Sequence, residues 1–248
     1  MTLAVSGLSL KGRLTQVSAG LRAGEVTAIC GPNGAGKSSL LACLAGLLLP
    51  DSGTIALDGE PLAAMPPRQR ARMIGYLPQT PEVAWDMSVE VLVSLGRLPW
   101  PGAPAPEAQA AIDAALAAMD LDDLRYRPVL SLSGGERARA LTARVLAGEP
   151  RWLLADEPMA SLDLAHSAAL AACLRGQAGE GRGVVLVLHD LAAAMNHADR
   201  VLVLDRGAVI ADGPPEVALA EDVIARVWGV KARWLGEAGA RGLVVEGA

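Results

Sequence analysis

The chain has 248 residues, 52% of them hydrophobic, with 22 Lys and Arg against 27 Asp and Glu and a net charge of −5. That length suits one main domain with room for a small appended unit. The acidic balance argues against a surface for phosphate backbones, so no nucleic acid is expected among the partners. From the start, Met1-Thr2-Leu3-Ala4-Val5 lacks the basic segment and cleavage site of a secretory leader. No later run approaches the roughly 18 apolar residues needed to span a bilayer, so the expectation is a chain that stays in the cytoplasm. Cys30, Cys43 and Cys173 are scattered without metal spacing and read as small buried hydrophobes.

Val26-Thr27-Ala28-Ile29-Cys30 is a short β-prone run that ends in Gly-Pro, and Lys37 to Leu48 continues with helix-compatible spacing. The order is strand, glycine loop, helix. From about Pro81 to Ser131 the pattern changes to Pro-rich turns and Ala-rich segments, including a helix expected over Glu107 to Met119, which reads as a helical insertion. The biased stretch from Pro99 to Pro106 reads as a loop. A helix is expected over Gly134 to Ala147. Trp152-Leu153-Leu154-Ala155 and Val184-Val185-Leu186-Val187-Leu188 have the continuous apolar character of buried parallel strands. Val201 to Leu204 and Ala208 to Ala211 flank Asp205-Arg206-Gly207, a hairpin signal. The tail beyond Glu216 reads as a helix followed by a weak pair of strands. An α/β domain with a parallel central sheet follows.

The chemistry starts at Gly31-Pro32-Asn33-Gly34-Ala35-Gly36-Lys37-Ser38, continued by Ser39. Glycines here let successive backbone N–H groups curl round phosphate oxygens, Lys37 can reach the β and γ phosphates, and Ser38 can hold Mg²⁺. ATP with Mg²⁺ is the expected ligand. Asp156 and Glu157 stand where a buried strand should emerge at the nucleotide edge of the sheet. Asp156 suits a Mg²⁺ ligand and Glu157 a general base for water; such a pair taken alone would better fit a solvated strand end, but behind a phosphate loop it is the expected second half. Leu132-Ser133-Gly134-Gly135-Glu136 offers a hydroxyl and approachable N–H groups to an anion; an ordinary N-cap explains Ser133 as well, and the two roles can coexist.

In order and spacing, the phosphate loop, Gln79 after Tyr76-Leu77-Pro78, Leu132 to Glu136, Asp156-Glu157-Pro158, Ser161-Leu162-Asp163 and His189-Asp190 resemble the ATP-binding-cassette (ABC) family. The resemblance runs over nearly the whole chain. It implies a phosphate-loop ATPase fold with a mainly parallel central sheet, an antiparallel β subdomain and the helical insertion at 81–131, all in one domain spanning 1–248 with a helix and β tail over 216–248. It also implies that Ser133, Gly134 and Gly135 serve ATP held by the loop of a second copy in a head-to-tail dimer. Gln79 would then ligate Mg²⁺ or the water, His189 would donate to the γ phosphate and orient Glu157, and Asp163 would couple the two sites.

Ser88 to Pro99 and Asp156 to Asp163 are similar to importer ATPases for iron-siderophore, haem and cobalamin complexes. That implies membrane permease subunits as partners, an extracytoplasmic solute-binding protein acting through them, and a peripheral place on the cytoplasmic face of the inner membrane. Import of another small solute, or soluble ATPase work without transport, are the alternatives. One departure concerns the base. These ATPases often carry an aromatic residue ahead of the phosphate loop that stacks on adenine, but no Phe, Tyr or Trp precedes Lys37 here. An aliphatic contact from Leu10 or Leu14 is expected instead. Smaller departures are Glu136 for the commoner Gln, Ala138 before Arg139, and Ala155 before Asp156.

Overall fold

The computed structural model describes residues 1–79, 85–160 and 162–246. In chain order, β1 (Thr2–Leu10) and β2 (Leu14–Arg22) form an antiparallel pair, and β3 (Val26–Cys30) leads through the glycine loop into α1 (Lys37–Leu44). Next come β4 (Ser52–Leu57), β5 (Glu60–Pro61), α2 (Pro67–Met73) and β6 (Ile74–Leu77). Three helices follow: α3 (Val89–Ser94), α4 (Ala105–Ala118) and α5 (Gly134–Ala147). The chain then alternates through β7 (Trp152–Asp156), α6 (Leu164–Gly179), β8 (Gly183–Val187), α7 (Leu191–His197), β9 (Arg200–Asp205) and β10 (Ala208–Gly213). It ends in α8 (Pro215–Ala218), α9 (Glu221–Trp228) and the hairpin of β11 (Ala232–Leu235) and β12 (Gly242–Val245).

The central sheet has the order β10-β9-β3-β8-β7-β6. Its pairings from β9 to β6 are parallel and only β10 joins antiparallel. A second, antiparallel sheet has the order β2-β1-β4-β5. The central strands are buried on both faces, and their period of two divides the core between two clusters. Ile29, Leu154, Trp152, Val185, Val187, Leu202 and Leu204 face α1 and the antiparallel sheet. Ala28, Leu153, Ala155, Leu186 and Val203 face the helices of the other layer, including residues of α3 to α7. The glycine loop leaves the carboxyl end of β3, between β8 on one side and β9 on the other. That is the edge of a parallel sheet where ligands bind.

Most expected elements are present with shifted ends. The helix after the loop stops at Leu44 instead of Leu48, because Gly46 turns the chain at φ 68° and Ala42 O accepts from both Leu47 N and Leu48 N. The strand expected over Val184–Leu188 is displaced by one residue, to Gly183–Val187. α4 begins at Ala105 with Pro106 in its first turn, so the end of the Pro-rich stretch belongs to a helix. Helix α5 keeps the expected Gly134–Ala147 bounds. The expected insertion begins at residue 81, outside the described residues. Over 85–131 the described part is helical apart from turns and one isolated bridge between Ser88 and Pro128. Cys30 and Cys43 are buried, but Cys173 is only half-buried. Among the described residues no helix is long and apolar enough to cross a membrane.

Candidate functional site

The loop after β3 is shaped by glycines that no other residue could replace. Gly31 has φ 150°, and a Cβ there would lie 2.1 Å from the carbonyl oxygen of Leu204 on β9. Gly36, at φ 99°, would drive a Cβ to 2.5 Å from the carbonyl oxygen of Arg13. Both positions therefore need a left-handed backbone and a close approach. Lys37 opens α1 and is buried, its Nζ donating to the carbonyls of Gly31 at 2.8 Å and Pro32 at 3.0 Å. Burial lowers its pKa, while the charges of Glu157 and Asp156 partly restore it. Asn33, Gly34, Ala35, Gly36, Lys37, Ser38 and Ser39 line an open cleft of about 540 Å³, together with Gln79, Glu157, His189 and Arg13. Seven consecutive residues of the loop and the first turn of α1 thus meet three side chains from the neighbouring strand ends.

Asp156 closes β7 and is buried, and its carboxyl pKa is raised chiefly by that burial. Its hydrogen bond with Ser38 and the charge of Lys37 work in the opposite direction. Among the described residues, Oδ1 of Asp156 has no hydrogen-bond partner. A buried carboxylate oxygen without a donor, beside a serine hydroxyl, is the hard-oxygen setting that suits Mg²⁺. Glu157 follows with φ 51°, a backbone conformation that costs a non-glycine residue about 1 kcal/mol or more. Its N–H donates to Val187 O on β8 at 3.1 Å, and its Oε1 lies 2.5 Å from Nε2 of His189, which emerges just past the end of β8. The strained turn thereby aims the carboxylate into the cleft. Gln79, exposed just past β6, completes this flank.

The residues from Leu132 to Glu136 stand outside that cleft. Ser133 is the N-cap of α5: its Oγ accepts from Glu136 N at 3.3 Å, while its own N–H donates to Glu136 Oε2 at 2.7 Å. This reciprocal capping box satisfies two free backbone donors. It holds the Glu136 carboxyl below the usual range, with Arg127 assisting. Gly134 borders a smaller cavity of about 150 Å³, shared with Gln79, Asp156 and Glu157. Asp163 caps α6 by accepting from the N–H and the ring Nδ1 of His166, contacts that lower its pKa. Leu162 is half-buried against the main core. Ser161 lies outside the described residues.

Neither aliphatic residue expected at the base lines the cleft. Leu14 is only 3% exposed, packed in the core beneath the antiparallel sheet, and Leu10 does not line the cleft. The residue from that sheet which does line it is Arg13, whose Nη1 donates to Ser39 Oγ at 3.3 Å. No local pattern marks Arg13 in the sequence, because its turn is placed by Gly207, far along the chain.

This phosphate-loop sheet with its emergent carboxylates defines a nucleotide-hydrolysing domain, and the chain belongs to the ABC transporter family, which residues 14–160 match. It is an ABC-type ATPase coupled to transport across a membrane. The chain is 48% identical over 216 residues to the hemin import ATP-binding protein HmuV of Nocardia farcinica, covering 87% of this chain and 75% of that protein. To the protein of the same name from Myxococcus xanthus it is 41% identical, with 96% and 95% covered. Among solved structures it is similar to a metal-chelate type ABC transporter in an inward-facing conformation, at 26% identity and a TM-score of 0.84 over 99% of this chain and 97% of that one.

Proposed function

We propose that this chain is the ATPase subunit of a haem importer. The observation that carries this reading is its 38–48% identity, over most of its length, to proteins named for hemin import. Residues 1–248 would form one ATPase domain, with 81–131 as the helical insertion that meets the permease and 216–248 as a tail. Two copies would sit head to tail on the cytoplasmic face of the membrane, beneath permease subunits supplied by an extracytoplasmic binding protein.

Within each site the loop N–H groups and Lys37 hold the β and γ phosphates, Lys37 exchanging the carbonyls of Gly31 and Pro32 for phosphate oxygens. Ser38, Asp156 and Gln79 are the residues to hold Mg²⁺, which would neutralise charge on the phosphate oxygens. Glu157 accepts a proton from water as the water oxygen bonds to the γ phosphorus and the bond to the bridging oxygen breaks, giving ADP and phosphate. His189 holds Glu157 through Nε2–H before nucleotide arrives and can then turn that donor to the γ phosphate. Ser133, Gly134 and Gly135 of the second copy would close on the same phosphates, and Asp163 would link the two sites. The capping box supports this role: it leaves Ser133 and the two glycines on a rigid, exposed helix start.

Growth of a deletion strain tests the substrate. Loss of growth on haem as iron source, with growth on ferric siderophore and response to cobalamin retained, is the expected result. Unimpaired growth on haem would overturn the haem assignment.

A further inference from the structure

We propose that Arg13 is a nucleotide-binding residue that grips the α phosphate, so that this ATPase holds its nucleotide by the phosphates and discriminates weakly between bases. The proposal rests on the cleft being the ATP site. Its geometry comes from the two flanks of the phosphate loop. Glu157 and His189 follow β7 and β8, on one side of β3. Arg13 arrives from the opposite side, where β9 and β10 lie.

The turn that carries Arg13 is fixed to that flank by the backbone. Thr15 N–H donates to Gly207 O at 2.8 Å, and Gly207 N–H donates to Ala35 O at 3.0 Å, so the β1–β2 turn, the β9–β10 turn and the phosphate loop are bonded in series. The Arg13 carbonyl packs where Cβ atoms of Gly36 and Gly207 would stand, at 2.5 Å and 2.7 Å. Only glycine at both positions lets the turn come this close. From there the guanidinium reaches Ser39 Oγ, in the first turn of α1.

A triphosphate whose γ end faces Glu157 and His189 must run across the loop toward Ser39. Its α phosphate and nucleoside then fall on the Arg13 flank. A guanidinium presents a planar fork of donors that matches two phosphate oxygens, and it stays charged at any physiological pH. The hydroxyl of Ser39 already holds it at the height of the first helical turn, where phosphate oxygens meet N–H groups. With Leu14 buried and no aromatic residue upstream of Lys37, the flank offers charge where a stacking surface would otherwise select a base.

Calorimetric titration of ATP and GTP into the full-length protein, its Arg13→Ala variant and its Arg13→Lys variant tests this. The parent should bind the two nucleotides within about threefold of each other. Arg13→Ala should weaken both by about tenfold and by the same factor, as expected for a partly exposed charged hydrogen bond. Arg13→Lys keeps the charge without the fork, and should fall between the two. Unchanged affinities in Arg13→Ala would overturn the proposal, and so would a loss confined to ATP, which would make Arg13 a base contact. A parent protein that binds neither nucleotide would instead defeat the reading of the cleft itself.

Discussion

The phosphate loop and the start of α5 are both glycine-rich entries into a helix, yet their polar groups are disposed in opposite ways. Around the loop, Lys37 is buried on carbonyls of its own chain, Asp156 Oδ1 has no donor among the described residues, and Glu157 is held at a positive φ. These groups carry desolvation and strain that a ligand can relieve. At α5, Ser133 and Glu136 satisfy each other on the surface. The first region is built to receive a ligand, and the second to keep its shape until another surface meets it. The second region does not line the cleft of its own chain, which fits the proposal that it serves the cleft of a second copy.

Replacing the base should break the comparison most sharply. Glu157→Gln is expected to lower ATP turnover by on the order of 10²–10⁴-fold, measured by phosphate release at saturating ATP. Near-normal turnover would remove Glu157 from the role of base. Next in size, Lys37→Ala should weaken ATP binding by on the order of tenfold or more, since it deletes the buried cation proposed to hold the phosphates. Calorimetry checks this. Ser133→Ala at the other region should cost about 1 kcal/mol in denaturant unfolding, the usual worth of an N-cap. It should also reduce turnover more than it reduces ATP affinity, if Ser133 serves the second copy.

The smallest expected effect is on acid stability. Hydrogen bonds to Ser133 and His166 hold the Glu136 and Asp163 carboxyls below their ordinary values. Groups with lowered folded pKa values contribute stability that is fully present above the ordinary carboxylate range and is lost as pH falls through the folded values. Glu136→Gln, which removes the titrating group, should therefore flatten the decline of the melting temperature below about pH 4.5, by a small amount because the group is partly exposed. An unchanged acid limb would separate the capping box from that linkage.

How legible these features were depended on where their determinants lie. The central strands could be read directly, because β3, β7 and β8 are buried on both faces and appear as unbroken apolar runs. The α5 helix was equally plain, since Ser133 and Glu136 mark its start within four residues. β1 and β2 were not individually legible. Their inward residues, Leu3, Val5 and Leu8, leave strict alternation where Gly7, at φ 58°, shifts the register. The end of α1 was misjudged because Leu47 and Leu48 look like a continuing apolar face, whereas Gly46 has already turned the chain. Arg13 was missed for a different reason. Its place beside the loop is set by Gly207, in a hairpin far along the chain, and local pattern does not carry that contact. The aliphatic contact expected for the base is removed at Leu14 by burial.

In the proposed dimer, each ATP is finished by a second copy of this chain. Light scattering of Glu157→Gln with and without ATP and Mg²⁺ measures it most directly, because blocked turnover should keep the closed state populated. The expected result is a shift from one chain to two on ATP addition, reversed by Ser133→Ala or by removal of nucleotide. A protein that binds ATP and remains a single chain at all working concentrations would contradict it.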